Sequence, residues 1–232
     1  MKKVLIIIPA YNEAKNIERV VDNLVNNFPQ YDYVIVNDGS SDNTASICEK
    51  RRYSYLNLPI NLGLSGAFQA GVKYAYEMGY DMALQLDGDG QHKPEYLERM
   101  IQKMEKENID IVIGSRFCEK KSERTSLRTV GGNIISLCIK FTTGTKITDP
   151  TSGMRLYNRK VLKEFAYVMN YTPEPDTISF LIRTGIKVKE VQVEMDERIE
   201  GESYLNTVNA IKYMLHMCVS ILFVQRFRAR RK

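Results

Sequence analysis

Val4-Leu5-Ile6-Ile7-Ile8-Pro9-Ala10-Tyr11-Asn12-Glu13 opens the chain with an unbroken β-branched and leucine run that stops abruptly at polar residues. Apolar residues without alternation mark a strand covered on both faces. The stretch that follows, Asn12 to Asn26, carries Ile17, Val20, Val21 and Leu24 at helical spacing. Strand, loop and helix thus come in that order, and the order repeats. Tyr33 to Val36 is a second strand that ends at Asn37-Asp38-Gly39-Ser40-Ser41-Asp42, residues that favour turns and helix caps, and a helix follows from Thr44 to Arg51. Leu64 to Met78 keeps its apolar residues on one side, Met82 to Leu86 is apolar throughout, and Pro94 to Lys106 reads as a helix with proline in its first turn. Ile109 to Ile113 is one more buried-strand run.

Strands alternating with helices predict an α/β fold, with a mostly parallel, Rossmann-like sheet and helices on both faces. Ligands then sit beyond the carboxyl ends of the strands. Four polar segments directly follow predicted strands: Pro9 to Glu13, Asn37 to Asp42, Asp87 to Gln91 and Gly114 to Arg116. They are expected to share one rim. Downstream the pattern predicts a charged loop (Glu119 to Arg124), a helix over Leu127 to Phe141, a turn at Asp149-Pro150-Thr151-Ser152-Gly153 and a strand near Val188 to Met195. Neither an internal repeat nor a low-complexity linker is present, so one main domain over 1–205 is expected, followed by a docking helix with a basic tail over 206–232.

The composition is that of an ordinary globular protein: 232 residues, 44% hydrophobic, with 33 basic and 28 acidic groups. Disordered, collagen-like and disulfide-stapled classes are excluded. The net charge of +5 is located entirely at one end, because Arg226 to Lys232 hold five basic groups and no acid, and removing them leaves 28 basic against 28 acidic groups. A neutral body excludes a broad nucleic-acid surface. The tail is either a local anionic contact or a solvated terminus. Cys48, Cys118, Cys138 and Cys218 form no C-x-x-C pair, so reduced thiols in a cytoplasmic protein are expected rather than a zinc or redox site. Met1 to Pro9 is too short an apolar segment for a signal peptide.

Asp87-Gly88-Asp89 at a strand end can bring two carboxylates to one point, a donor set suited to Mg²⁺ or Mn²⁺ completed by substrate phosphates. Taken alone, the pattern is equally that of a solvated acidic turn. Gln91 and His92 nearby could supply a further ligand, although a histidine beside Lys93 and Pro94 reads more simply as an exposed one. No G-x-x-x-x-G-K-[ST], G-x-G-x-x-G or G-x-S-x-G motif is present, and with two histidines in the chain a Ser-His-Asp or Cys-His hydrolase is disfavoured.

Taken in order, Pro9-Ala10-Tyr11-Asn12-Glu13, Asn37 to Asp42, Asn61-Leu62-Gly63, Asp87-Gly88-Asp89-Gly90-Gln91 and Gly114-Ser115-Arg116 resemble the family 2 inverting glycosyltransferases of the GT-A fold, over nearly the whole chain. Asp149 to Arg155, Glu190-Val191, Arg198 and Gly201-Glu202-Ser203 narrow the resemblance to the branch of dolichyl- and polyprenyl-phosphate sugar transferases, which act at the cytoplasmic membrane face. The resemblance implies that Pro9, Tyr11, Glu13 and Asp38 hold the nucleoside of the donor. It implies that Asp87, Asp89 and Gln91, with Gly88 between the two carboxylates, surround a Mg²⁺ or Mn²⁺ ion bridging the diphosphate. Arg116 and Arg128 would bind the acceptor phosphate, and Arg198 with Ser203 would close over the donor. Tyr204 stands where related sequences often carry lysine.

A phosphate monoester has a second pKa of about 6 and is already an anion at neutral pH, so such an acceptor needs cations to position it more than it needs a base. Arginine suits that task, because its planar donors match phosphate oxygens in pairs. With a carbohydrate or protein hydroxyl as acceptor, a general base would be required and Asp149 is the candidate; a turn residue is the simpler role for it. The reading is therefore a transferase that moves a hexose or N-acetylhexosamine from a nucleotide sugar, UDP-linked, to polyprenyl phosphate. Two alternatives stand beside it: a hydroxyl acceptor, or a non-catalytic nucleotide-sugar-binding scaffold.

Tyr213 to Gln225 is a 13-residue run without Asp, Glu, Lys or Arg. As a helix it would span about 20 Å, short of the roughly 30 Å hydrocarbon core. It is read either as an interfacial helix beside a cationic tail or as a buried core or oligomer helix. The partners expected are a nucleotide sugar, polyprenyl phosphate, the inner membrane surface, a small integral membrane protein and a second copy of the chain, but no nucleic acid.

Overall fold

Alternate residues of the first strand, β1 (Val4–Ala10), point to opposite faces of the sheet, and this divides the interior in two. Leu5 and Ile7 belong to one buried cluster, while Val4, Ile6 and Ile8 belong to the other. In this computed structural model, residues 2–119, 127–168, 172–196 and 207–228 are described. After β1 come α1 (Ile17–Asn27), β2 (Asp32–Asn37), α2 (Thr44–Arg51), β3 (Tyr55–Asn57), α3 (Gly63–Glu77), β4 (Met82–Gln85), α4 (Leu97–Lys106) and β5 (Ile111–Ser115). The later elements are α5 (Leu127–Thr143), β6 (Arg155–Asn158), α6 (Arg159–Lys163), α7 (Pro175–Arg183), β7 (Val188–Gln192), α8 (Thr207–Val219) and α9 (Gln225–Phe227).

The seven strands run in the order β3-β2-β1-β4-β6-β5-β7. All pairings are parallel except those of β6, which is antiparallel to both β4 and β5. The expected mostly parallel α/β sheet is what forms. One face packs on α1, α2 and α4 through Val20, Val21, Leu24, Cys48, Met100 and Met104. The other packs on α3, α5, α6, α7 and α8 through Phe68, Val72, Ile139, Leu162, Ile178 and Met217. Burying each large aliphatic side chain of β1 contributes roughly 1.5–3 kcal/mol, so this one strand anchors both layers.

Because β5 runs antiparallel to β6, and β6 antiparallel to β4, the strands β1, β2, β4 and β5 all end on the same rim. The four polar segments are therefore neighbours. Three elements depart from the periodicity. The first helix begins at Ile17, not Asn12, because Asn12 adopts φ +57° and turns the chain. β6 was expected only as chain beyond a turn; its four residues are too few to show a period, and Arg155 at its start is buried. The apolar run at 213–225 forms α8 as far as Val219 and then widens into a π-helical stretch, Ser220–Val224. Among the described residues no helix is long and apolar enough to cross a membrane.

Candidate active site

The loops after β1 and β2 are laced together by short polar side chains. Asn12 donates its backbone N–H to Ser40 Oγ at 2.9 Å, and its Oδ1 accepts from Ser41 N–H at 2.9 Å. Asp42 completes the link by accepting from Ala14 N–H at 3.1 Å and from Thr44 N–H at 2.9 Å. Burial pushes the Asp42 carboxyl up, but the bonds from Thr44 and Ala14 outweigh it and hold the group below its ordinary 3.8. Asp38 is buried, and its Oδ1 accepts from Leu62 N–H at 2.8 Å, which fixes the Asn61-Leu62-Gly63 turn over the end of β2. Tyr11 is exposed on this rim, and Glu13 Oε2 accepts from Asn16 Nδ2 at 2.8 Å.

Asp87-Gly88-Asp89 follows β4 against the same edge. A Cβ on Gly88 would lie 3.1 Å from the Pro9 carbonyl oxygen and 3.5 Å from Glu13 Cγ, so the glycine lets the acidic loop lie directly on the first one. Asp87 N–H donates to His92 Nδ1 at 3.0 Å. With Nδ1 accepting, the proton of the neutral imidazole sits on Nε2, which faces Asp87 Oδ2 at 3.7 Å. His92 is buried, contrary to the surface position expected for it. On the other side, a Cβ at Gly153 would come within 2.8 Å of Asp87 Oδ2. The Asp87 carboxylate is thus held between an imidazole and a bare backbone, with 37% of its side chain open to the rim. Asp89 is more enclosed: Oδ1 accepts from Gln91 N–H at 3.0 Å, and Arg19 Nη2 donates to the Asp89 carbonyl at 3.1 Å. Gln91 Nε2 donates to the Asp196 carbonyl at 3.4 Å, which ties the acidic loop to the chain leaving β7.

Two carboxylates beside a buried neutral imidazole are hard oxygen donors of the kind Mg²⁺ and Mn²⁺ take, and a shared ligand could supply the remaining positions. No set of three or more Asp, Glu, His or Cys with metal-binding geometry occurs among the described residues. The donor set fits an ion brought with a diphosphate better than a permanent structural metal.

The third part of the rim is built on Asp149. Its side chain is 1% exposed, and it accepts three N–H groups of one residue: Arg116 Nε at 2.7 Å, Nη2 at 2.8 Å and the backbone N–H at 3.1 Å. Asp149 and Thr148 are held in turn by Glu190 of β7, whose carboxylate accepts from both backbone N–H groups at 2.8–2.9 Å. Hydrogen bonds from Asp149 raise the Arg116 guanidinium above its ordinary value, against the opposing effect of burial. Arg116 is nonetheless 40% exposed, so a fixed cation faces the rim.

The structure thus brings Pro9, Tyr11, Glu13, Asp38, Asp87, Gly88, Asp89, Gln91, Arg116 and Asp149 to the ends of adjacent strands. Arg128 is in the first turn of α5, but its side chain is not among those described; Arg198 and Ser203 lie outside the described residues. Sequence reasoning missed Arg19 and Gly153, and it favoured an exposed place for His92, which is buried. Gln91-His92 adjacent to the acidic pair was a signal for His92, but nothing local marks Gly153 or Arg19, which meet the acidic loop from 66 and 70 residues away.

This arrangement, a mostly parallel sheet with an acidic loop and a fixed arginine on one rim, is the GT-A architecture of glycosyltransferases. Glucosyl-3-phosphoglycerate synthase from Mycobacterium tuberculosis shares the fold, with a TM-score of 0.72 over 98% of this chain and 80% of that one at 16% identity. Residues 5–166 match glycosyl transferase family 2, and the chain belongs to that family. It is 32% identical to the UDP-N-acetylglucosamine–dolichyl-phosphate N-acetylglucosaminyltransferase of Methanococcus voltae, over 83% of this chain and 85% of the relative. It is 29% identical to the polyprenol monophosphomannose synthase of Mycolicibacterium smegmatis, over 90% and 83% of the two chains. The undecaprenyl-phosphate mannosyltransferase of Micrococcus luteus is 30% identical, over 88% of each.

Proposed function

We propose that this glycosyltransferase inverts the anomeric centre of a hexose or N-acetylhexosamine as it moves the sugar from a UDP-linked donor to polyprenyl phosphate at the inner face of the cell membrane. The observation that carries the reading is the Arg116–Asp149 pair on the same rim as the Asp87-Gly88-Asp89 loop. The phosphate-lipid acceptors named for three relatives and the UDP donor named for the first of them point the same way.

Pro9, Tyr11, Glu13 and Asp38 line the place for the nucleoside. Asp87 and Asp89 would hold a Mg²⁺ or Mn²⁺ ion, which when bound would neutralise charge on the departing diphosphate. Gln91, assigned by resemblance to the same ion, also ties the acidic loop to the chain after β7 through its Nε2. Arg116 presents a cation to an acceptor phosphate, and Arg128, Arg198 and Ser203 are assigned to acceptor and donor contacts by resemblance. An acceptor phosphate oxygen attacks the anomeric carbon opposite the diphosphate; the new C–O bond forms as the old one breaks, and nucleoside diphosphate leaves. No proton has to be removed from an acceptor that is already anionic. That fits Asp149, whose carboxylate already accepts three N–H groups from Arg116 and therefore acts as the anchor of that arginine.

The test is a donor panel of UDP-glucose, UDP-N-acetylglucosamine and GDP-mannose with undecaprenyl phosphate and Mg²⁺ or Mn²⁺. Turnover of a UDP-sugar onto the lipid phosphate is expected. Turnover only onto hydroxyl acceptors, or donor binding without turnover across the panel, refutes the assignment.

A further inference from the structure

The start of β6 holds a buried charge to which the transfer reaction gives no task. Arg155 is 2% exposed, and the hydrogen bonds of its guanidinium go to backbone carbonyls: Nε to Ser152 and Nη2 to Pro150, both at 2.8 Å, and Nη1 to Pro173. Desolvating a cation is expensive, and a well-packed apolar side chain often replaces a buried charge with no loss of stability. Leu156 and Tyr157 already fill the two faces of β6. Packing of the core therefore does not call for this arginine. Nor does the core receive its bonds. Gln85 of β4 stands directly opposite Arg155, on the same face of the sheet. Its buried Oε1 has no hydrogen-bond partner among the described residues. The guanidinium is committed instead to the turn that precedes its own strand.

That turn serves both halves of the site. Its first residue, Asp149, anchors Arg116, and its last, Gly153, is the wall against Asp87. The ends are tied down separately: Asp149 N–H donates to Glu190 at 2.8 Å, and Ser152 Oγ donates to the Gly114 carbonyl at 2.6 Å. The carbonyls of Pro150 and Ser152 converge on Arg155, which lashes them to Pro173. Pro173 is itself a fixed point. Glu174 accepts from the Tyr213 hydroxyl of α8, and Asp176 accepts from Ser220 Oγ at 2.7 Å and Gln225 Nε2 at 3.0 Å. A planar guanidinium holds three acceptors at set separations, which the single head of a lysine cannot do.

We propose that Arg155 is a positioning residue for the transfer: from beneath the rim it clamps the Asp149 to Gly153 turn and so sets the place of Arg116 relative to the Asp87-Gly88-Asp89 loop. The inference deepens the reaction reading and rests on it for what the two halves bind, a divalent ion at the loop and an acceptor phosphate at Arg116. Arg155 acts on both through the turn, so its loss should disturb metal and acceptor together. The nucleoside segments, which follow β1 and β2, should be spared.

The experiment compares the full-length protein with Arg155→Lys, which keeps the charge but cannot span three carbonyls, and Arg155→Met, which removes it. Three constants are measured well below each melting temperature: UDP affinity without metal, Mn²⁺ affinity of the UDP complex, and KM for undecaprenyl phosphate in detergent. Metal-free UDP affinity should be unchanged, while Mn²⁺ affinity falls and acceptor KM rises about tenfold or more in both variants. A merely structural arginine would lower the melting temperature and the active fraction, hence the apparent kcat, and leave both constants at wild-type values; that result overturns the proposal. Wild-type constants in Arg155→Lys alone assign the effect to charge and overturn it too. Gln85→Glu covers the case in which neither Arg155 variant folds, because it sets a carboxylate opposite the guanidinium and draws it off the turn. The same two shifts are expected there, and in that case wild-type constants overturn the proposal. If the wild type turns over no undecaprenyl phosphate, the acceptor reading fails and the Mn²⁺ titration decides the role of Arg155; if it also binds no Mn²⁺ with UDP, both fall.

Discussion

Asp149→Asn separates the two roles open to that residue. The carboxylate is buried and accepts three N–H groups of Arg116, so the variant turns a bidentate ion pair into a neutral contact in which the amide NH₂ faces N–H donors. Breaking a buried pair costs about 3–5 kcal/mol. Here Arg116 is 40% exposed and can rehydrate, which discounts the loss to about 2 kcal/mol. For a chain of this length that lowers the melting temperature by roughly 4–8 °C, measured by calorimetry. The kinetic consequence follows from the released arginine. With polyprenyl phosphate, KM for the acceptor should rise about tenfold or more while the pH profile of kcat keeps its shape, because no proton is taken by Asp149. A general base would behave otherwise: kcat would fall about 10²–10⁴-fold, the acid limb of the profile would vanish, and acceptor KM would be unmoved. That second outcome refutes the anchoring role.

Asp89→Asn should suppress turnover at least a hundredfold while leaving the far-ultraviolet circular dichroism and melting temperature near wild type; undiminished activity would remove the metal assignment. Gly153→Ala places a methyl group 2.8 Å from Asp87 Oδ2 and should raise the Mn²⁺ concentration for half-maximal activity about tenfold, with nucleoside diphosphate binding in the absence of metal unchanged. Asp110 joins β5, β6 and the chain entering β7 by accepting from Asn158 Nδ2 and Lys187 N–H, both at 2.9 Å. Burial raises its pKa, but the bonds from Lys187 and Asn158 and the charge of Lys160 outweigh that and hold it below 3.8. A depressed carboxyl stabilises the fold above its unfolded value and loses that contribution as pH falls through the folded one. Asp110→Asn should therefore lose stability in urea titrations at pH 7, with the gap to wild type closing below about pH 4; a gap constant down to pH 2 would contradict this.

The alternation of buried runs and helical spacing made the α/β class legible without coordinates. A strand covered on both faces has to be apolar at every position, as Val4 to Ile8 is, and each polar break after such a run marks the rim. That was enough to gather Pro9 to Glu13, Asn37 to Asp42, Asp87 to Gln91 and Arg116. β6 stayed hidden because Arg155, at its start, has no apolar partner to signal burial; its guanidinium is satisfied by the carbonyls of Ser152, Pro150 and Pro173, the last two brought there by the fold.

Local sequence determined which residues lie at strand ends, because period and turn chemistry are properties of neighbours along the chain. Tertiary structure alone decided what those residues face. Asp149 became the anchor of Arg116 across 33 residues, and Gly153 the wall of Asp87 across 66. Helices α5 and α8 were likewise placed side by side, with Gly131 against Met214 across 83 residues. Such pairings depend on how strands are ordered in the sheet, and that order is set by packing of the whole core.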